Sequence, residues 1–157
     1  MILGAKLFQR MAVAALVATA LAAAFTGCPK KGGEIEVRVQ VSPEANGGNP
    51  VAVDLLLVSN KELLKELQKM TAAEWFEKRA QFILDHPKEG ELWVGRWEWV
   101  PGQVVRLDDV KVAPKVRAAV IFANYFNPGE HRAVLDPRRD VTITLGESRL
   151  EVSQPKR

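Results

Sequence analysis

The chain has 157 residues, of which 47% are hydrophobic and 26% charged, with a formal net charge of +3, one cysteine and two histidines. This length suits a single domain with one core. One thiol and two histidines leave no internal disulfide and no metal-ligand cluster, so we expect stability from the core alone, with neither a metal nor a cofactor.

Residues 1–27 are typical of a bacterial secretory signal peptide. Lys6 and Arg10 precede an Ala-rich apolar run at residues 11–25, and the small residues Thr26 and Gly27 mark a cleavage point. Cys28 follows at once, so the segment resembles the lipobox, in which the thiol is lipidated and becomes the new N-terminus. The alternative is an uncleaved membrane anchor, but the apolar run is shorter than the roughly 20 residues of a spanning helix.

Residues 28–33 are predicted to form a short lipidated tether. Pro29 follows the cysteine, where an Asp would resemble an inner-membrane retention signal, and this favours the outer membrane. Removing the first 27 of the 157 residues leaves 130, with 20 basic residues against 19 acidic ones and a net charge of +1. This balance gives no case for a nucleic-acid partner.

The domain begins with two predicted strands joined by a polar loop. The first strand is indicated by apolar residues that alternate with polar ones: Ile35, Val37, Val39 and Val41. Residues 42–50 contain two Pro, two Gly and two Asn, which is typical of a loop. Residues 51–58 are apolar except for Asp54, which predicts a more central strand.

A helical insert is predicted at about residues 60–85. Ser59 with Glu62, and Thr71 with Glu74, each have the spacing of a capping box. Apolar residues then recur at helical spacing: Leu63, Leu64, Leu67 and Met70, followed by Trp75, Phe76, Phe82 and Ile83.

Strand patterns resume after Pro87 and continue to the end of the domain. They include an apolar core strand predicted at residues 116–126. The seven or eight short strands with regular turns predict an all-β fold with a small helical insert, namely an antiparallel β-sandwich over residues 34–153 with a tail at residues 154–157.

Three tryptophans share one face of a predicted strand and leave two interpretations open. Trp93, Trp97 and Trp99 either fill the sandwich core or form an aromatic platform for a sugar or peptide. We favour the core, because the opposite face already carries charges.

No catalytic site is predicted. His86 and His131 lie near no nucleophile motif. Asp108 and Asp109 are adjacent in a strand and point to opposite faces unless a bulge turns them. Four basic residues near the C-terminus form either a solvated rim or a surface for an acidic partner or lipid headgroups: Arg132, Arg138, Arg139 and Arg149.

The order of these segments resembles one known family. The stretch Ser42-Pro43-Glu44-Ala45-Asn46-Gly47, followed by Pro50-Val51-Ala52-Val53, is similar to the Asn-Pro-Asp-Ala-Asn-Gly … Pro-Val-Val-Val stretch of the type VI secretion lipoproteins of the TssJ (SciN-like) family. Further matches follow in the same order: Trp75-Phe76, residues 100–103, residues 116–126, and the hairpin of residues 132–135 with residues 141–145.

The resemblance implies a transthyretin-like β-sandwich in an outer-membrane lipoprotein that faces the periplasm and is not an enzyme. Its partners would be outer-membrane lipid, through acylated Cys28, and the periplasmic C-terminal domain of the large inner-membrane secretion subunit. The implied protein contact is the loop of residues 42–50, whose contributing residues would be Glu44, Asn46, Gly47, Gly48 and Asn49. No small-molecule substrate is implied.

A second hypothesis remains open from the tryptophans. The chain would then be a periplasmic lipoprotein of an unrelated system that binds a sugar or peptide, or acts as a chaperone. A third hypothesis, an envelope hydrolase, has no supporting residues.

Overall fold

A computed structural model describes residues 32–156, so the predicted signal peptide, Cys28 and most of the tether lie outside the described residues. The described part contains eight strands and two α-helices, in the order β1 (Gly33–Val41), β2 (Val51–Val58), α1 (Lys61–Leu67), α2 (Ala72–Asp85), β3 (Leu92–Trp99), β4 (Val104–Val112), β5 (Ala118–Asn124), β6 (Arg132–Leu135), β7 (Val141–Leu145) and β8 (Leu150–Ser153). Neither helix is long and apolar enough to cross a membrane.

The strands form two four-stranded sheets, which confirms the predicted sandwich with a helical insert. The strand orders are β4-β1-β7-β8 and β3-β2-β5-β6. One pairing departs from the expected antiparallel arrangement, because β1 runs parallel to β7. Alternation of apolar residues reports which face of a strand is buried and carries no information on the direction of its neighbour.

The apolar residues of β1 form the centre of the core between the sheets. Val37, Val39 and Ile35 all point inward, where they meet Val53 and Leu55 of β2. Their polar neighbours along β1 lie on the outer face of the first sheet. The predicted period of two is therefore confirmed over residues 35–41 of β1.

The two helices cover the outer face of the second sheet and form a second core there. Trp75 of α2 is fully buried and stacks on Phe122 of β5, with ring centroids 5.4 Å apart and an interplanar angle of 12°. Leu56 and Val58 of β2 pack into the same cluster. Because both faces of β2 are covered, its sequence is apolar on both faces, as the predicted central position requires.

The helix caps agree with the sequence at one of the two predicted positions. The capping box of Thr71 and Glu74 begins α2 as predicted. At α1 the prediction was wrong, since Asn60 is the cap and its Oδ1 accepts hydrogen bonds from the N–H groups of Glu62 and Leu63. Ser59 instead continues the strand, donating its N–H to the carbonyl of Glu91 at 2.9 Å.

The tryptophans of β3 differ in exposure along the strand. Trp99 is buried, Trp97 is partly buried against the same core, and Trp93 is 46% exposed. The expectation of a core role holds for Trp99 and in part for Trp97. Trp93 departs from it, and it lies on β3, one of the two edge strands of its sheet.

Candidate protein-interaction site

Four connections meet at one end of the sandwich, which we call the loop end: residues 42–50, 100–103, 125–131 and 146–149. Backbone hydrogen bonds hold two of them to neighbouring strand ends, from Ser42 N–H to Leu145 O at 2.8 Å and from Gly102 N–H to Val41 O at 3.0 Å. A third, from Asn46 N–H to Glu147 O at 2.9 Å, joins the first connection to the last. The opposite end of β1 begins at Gly33, next to the predicted tether. The loop end is thus one connected surface at the far end of β1.

Asn46 determines the shape of the first loop. Its φ of 53° lies in the left-handed region, and Gly47 and Gly48 follow with φ of 64° and 79°, which glycine adopts at little cost. The Asn46 side chain is only 4% exposed. Its Oδ1 accepts a hydrogen bond from Phe126 N–H at 2.7 Å, and its Nδ2 donates to Pro50 O at 3.1 Å. Asn46 therefore ties the loop to the chain after β5, and its amide is already occupied.

The other residues that the resemblance implicated lie at the surface. Glu44, Gly47, Gly48 and Asn49 are all exposed. One Glu44 carboxylate oxygen accepts from the Ser42 hydroxyl at 2.7 Å. Asn49 directs its Nδ2 toward the carbonyls of Asn46 and Gly47, 3.2 Å from each. The structure thus brings these four together on one exposed turn and places Asn46 beneath it.

Phe126 is a residue of this surface that the sequence analysis missed. The predicted core strand at residues 116–126 ends at Asn124, and the Phe126 ring is 78% exposed. An open depression of about 300 Å³ lies between Phe126, Asn49 and Ser148. The turn signal Asn127-Pro128-Gly129 directly after Phe126 was the available indication that the strand ends earlier.

Tyr125 supports the loop end from inside. Its hydroxyl lies 3.0 Å from the carbonyl oxygens of Gly146 and Arg149. Burial of the ring, with the nearby charge of Glu151, raises the pKa of Tyr125 from 10.0 to about 12. This neutral hydroxyl links the β7–β8 turn to the segment that presents Phe126.

The predicted chemistry-bearing residues are dispersed. His86 Nδ1 lies 2.8 Å from Phe82 O, and His131 Nε2 lies 3.0 Å from Asn127 O. Each ring therefore forms a hydrogen bond with a backbone carbonyl oxygen. A register shift between β1 and β4 sets Asp108 and Asp109 opposite Glu36, and both are exposed. Within residues 32–156 no group of three His, Cys, Asp or Glu side chains is placed to hold a metal.

Three of the four basic residues near the C-terminus bond to backbone carbonyls or to a carboxylate of the same protein. Arg132 donates to Met70 O at 2.6 Å and thereby joins β6 to the segment between the helices. Arg138 donates to the carbonyls of Pro114 and Val116, at 3.0 and 3.1 Å. Arg149 pairs with Glu151 at 2.6 Å. These contacts give Arg132 and Arg138 a structural role between segments.

The fold is that of the TssJ lipoproteins of type VI secretion systems (T6SS). No protein-family model and no curated protein matches the sequence. The T6SS lipoprotein TssJ1 from Pseudomonas aeruginosa is similar with a TM-score of 0.61 and 17% identity, over 82% of this chain and 99% of that one. Serratia marcescens Lip, a membrane-bound component of the T6SS, is similar with a TM-score of 0.57 and 15% identity, over 79% of this chain and 98% of that one.

A third similar chain belongs to a structure of the T6SS protein TssM C-terminal domain from EAEC. Its TM-score is 0.56 with 13% identity, over 76% of this chain and 96% of that one. All three likenesses cover nearly the whole of the solved chains, and at these identities they establish a common fold.

Proposed function

We propose that this chain is a member of the TssJ family: a non-enzymatic lipoprotein of a type VI secretion membrane complex, acylated on Cys28 and held at the outer membrane facing the periplasm. Two independent features support this proposal. The lipobox-like sequence ends at Cys28, and the fold matches TssJ1 over 82% of the chain.

The observation that carries the proposal is that β1 begins at Gly33, where the predicted tether ends in the sequence, and finishes at the loop end. This strand has nine residues, so its first and last Cα atoms are separated by eight steps of roughly 3.3 Å, or about 26 Å. A lipid on Cys28 would hold the Gly33 end against the membrane, because the intervening tether is short. The loop end then points away from the membrane and toward a partner in the periplasm.

The partner in this proposal is the periplasmic C-terminal domain of the inner-membrane subunit, TssM. An interface of ordinary composition has a buried apolar or aromatic centre and a polar rim. Phe126 supplies the aromatic centre, and Glu44 and Asn49 supply polar groups beside it. Gly47 and Gly48 let the partner backbone approach closely, while Asn46 positions the loop.

The anchor is tested with Cys28→Ser. We expect this variant to be found in the soluble fraction with a folded domain, because it lacks the thiol that carries the acyl chain. Membrane fractionation and the mass of the N-terminal peptide are the measurements. A lipid-modified, membrane-bound Cys28→Ser protein would contradict the proposal.

The partner surface is tested with Phe126→Ala. Removal of an exposed aromatic at the centre of an interface should weaken binding to the TssM C-terminal domain by more than about tenfold. Glu44→Ala and Asn49→Ala should weaken it less, as residues of the rim. Val134→Ala is the matched control, since Val134 is also an exposed apolar residue but lies on β6. Equal affinities of Phe126→Ala and Val134→Ala in a calorimetric titration would remove the loop end from the proposal.

A further inference from the structure

The open depression at the loop end combines an aromatic ring with an acidic residue. Phe126 is 78% exposed, and Glu147 of the β7–β8 turn lies at the rim of the same depression. The hydrogen bond from Asn46 N–H to Glu147 O holds this turn against the first loop, which carries Glu44. Aromatic surface and carboxylates therefore occur together on the surface that the proposed function assigns to a partner protein.

The backbone that presents the Phe126 ring is held on both sides. Its own N–H donates to Asn46 Oδ1 at 2.7 Å. The preceding residue, Tyr125, bonds through its hydroxyl to the β7–β8 turn and stacks on His131, with ring centroids 4.7 Å apart and an interplanar angle of 29°. Little backbone entropy is therefore lost when a partner covers the Phe126 ring.

Carboxylates outnumber cations at the loop end. Its four connections contain three glutamates and one arginine, which gives a net charge of −2 with histidine neutral. Arg149 and Glu130 each form an ion pair with a strand residue, at 2.6 and 2.8 Å. Within residues 32–156, the Glu147 carboxylate has no hydrogen bond or ion pair, and that of Glu44 bonds only to the Ser42 hydroxyl. Two carboxylates of the loop end are thus available to a partner, and its one arginine is already paired.

We propose, on the basis of the proposed function, that the loop-end depression receives an arginine side chain of the partner protein. A planar guanidinium stacks on an exposed aromatic ring such as Phe126 and at the same time donates N–H groups to a carboxylate such as that of Glu147. A lysine satisfies the carboxylate as a point charge but has no flat face for the ring. An acidic side chain is repelled by Glu44 and Glu147, and an apolar one leaves Glu147 without a partner.

The first test needs no partner protein and uses the whole acylated protein in phosphatidylcholine nanodiscs. The probes are end-capped triarginine, trilysine and tricitrulline, because citrulline has the shape of arginine without its charge. Glycine-selective isotope labelling reports binding through the NMR signals of the Gly47 and Gly48 amides. We expect triarginine to shift these signals saturably in the millimolar range and to bind about threefold more tightly than trilysine, with no shift from tricitrulline. Absence of a triarginine shift would overturn the assignment, as would trilysine or tricitrulline binding as tight as that of triarginine.

Variants locate the guanidinium. Glu147→Gln keeps the side-chain shape and should weaken triarginine binding by about three- to tenfold, from the loss of the charge. Phe126→Ala should weaken it by a similar factor, from the loss of the ring. Glu77→Gln is the matched control, since Glu77 is also an exposed glutamate but lies on α2. Equal triarginine affinities of Glu147→Gln and Glu77→Gln would overturn the proposal.

Titrations with the TssM C-terminal domain separate this inference from the proposed function. Glu147→Gln should weaken TssM binding by about three- to tenfold, and added salt should reduce that difference by screening. The wild-type protein, but not Phe126→Ala, should protect at least one TssM arginine from phenylglyoxal, as read by mass spectrometry.

The two ideas fail in different ways. TssM binding that requires Phe126, but is unaffected by Glu147→Gln and protects no TssM arginine, would keep the loop end as the interface and overturn the arginine. A protein that binds triarginine through Phe126 and Glu147, but does not bind TssM, would contradict the proposed partner and support the arginine.

Discussion

Asp54 of β2 carries a buried charge beneath α2, and its contacts explain why β2 tolerates a charged residue there. The side chain is 1% exposed, and it accepts hydrogen bonds from Trp75 Nε1 at 2.9 Å and from Arg79 at 3.0 Å. Arg79 remains about one-third exposed and also covers the Phe76 ring. The carboxylate thus links the centre of the second sheet to the helix that covers it.

We expect Asp54→Ala to lower the free energy of unfolding by about 3 kcal/mol, because it leaves the Trp75 N–H buried without an acceptor. Asp54→Asn keeps an oxygen for that N–H and should cost about half as much. The exposed Asp108→Ala is the control and should cost less than about 1 kcal/mol. Urea unfolding measures all three. An Asp54→Ala variant as stable as Asp108→Ala would contradict this role.

Tyr125 predicts a dependence of stability on alkaline pH. Its pKa in the folded protein is about 12 against 10.0 in the unfolded chain, so the protonated hydroxyl is favoured by folding. This contribution is fully present below pH 10 and is lost as the pH rises toward 12. The difference in unfolding free energy between wild type and Tyr125→Phe should therefore shrink over that range, as measured by urea titrations at several pH values. A constant difference would show that the hydroxyl does not titrate as described.

At single positions the sequence shows residue types but not their surroundings. Asn46 and Asn49 are both asparagines of one Gly-rich loop. Asn46 is buried, with both the oxygen and the nitrogen of its side-chain amide hydrogen-bonded, whereas Asn49 is exposed. The difference depends on Phe126, which is eighty residues away in the chain. Long-range contacts of this kind leave no local pattern, so Asn46 was predicted as a surface residue and Phe126 as a core residue.

Elements marked by a clear hydrophobic period or a local capping motif were predicted well. The alternation in β1 and the capping box of α2 are local properties, and both are found at their predicted positions. The end of β5 and the start of α1 were displaced by one or two residues, because neighbouring residues compete for the same terminal role. At α1, Asn60 caps the helix since Ser59 is already held by the strand ladder.

The capping box at the start of α2 should contribute to the stability of the protein. In α2 the Thr71 hydroxyl accepts from Glu74 N–H at 3.2 Å, and a Glu74 oxygen accepts from Thr71 N–H at 2.8 Å. Thr71→Ala should destabilise the protein by about 1 kcal/mol. Thr71→Ser, which keeps the hydroxyl, should lie close to wild type. Amide exchange at the start of α2 and urea unfolding are the measurements, and equal exchange in Thr71→Ala and Thr71→Ser would contradict the cap.

The same hydrogen bonds from Thr71 lower the pKa of Glu74. A carboxyl whose pKa is lowered by folding stabilises the protein above its unfolded value of 4.5, and this contribution is lost as the pH falls through the lower folded value. The acid side of the stability profile should therefore be shallower in Thr71→Ala than in wild type.

For the whole molecule, the fold class followed from strand count and turn spacing, while the sheet order did not. The parallel contact of β1 with β7 joins residues about a hundred positions apart, and it separates β1 from its neighbour in sequence, β2, which lies in the other sheet. The passage of the chain from one sheet to the other between β1 and β2 depends on how the two sheets fill one core. It also places β1 between β4 and β7, with hydrogen-bonded neighbours on both sides.

The central position of β1 has a mechanical consequence for a protein tethered at one end of this strand and gripped at the other. Tension between the bilayer and a partner would run lengthwise along β1, from Gly33 to Val41. Strands β4 and β7 would resist it with their hydrogen bonds loaded together in shear, not opened one after another as in unzipping. In the proposed arrangement, the strand between the two attachment points would therefore be held by hydrogen bonds along both of its edges.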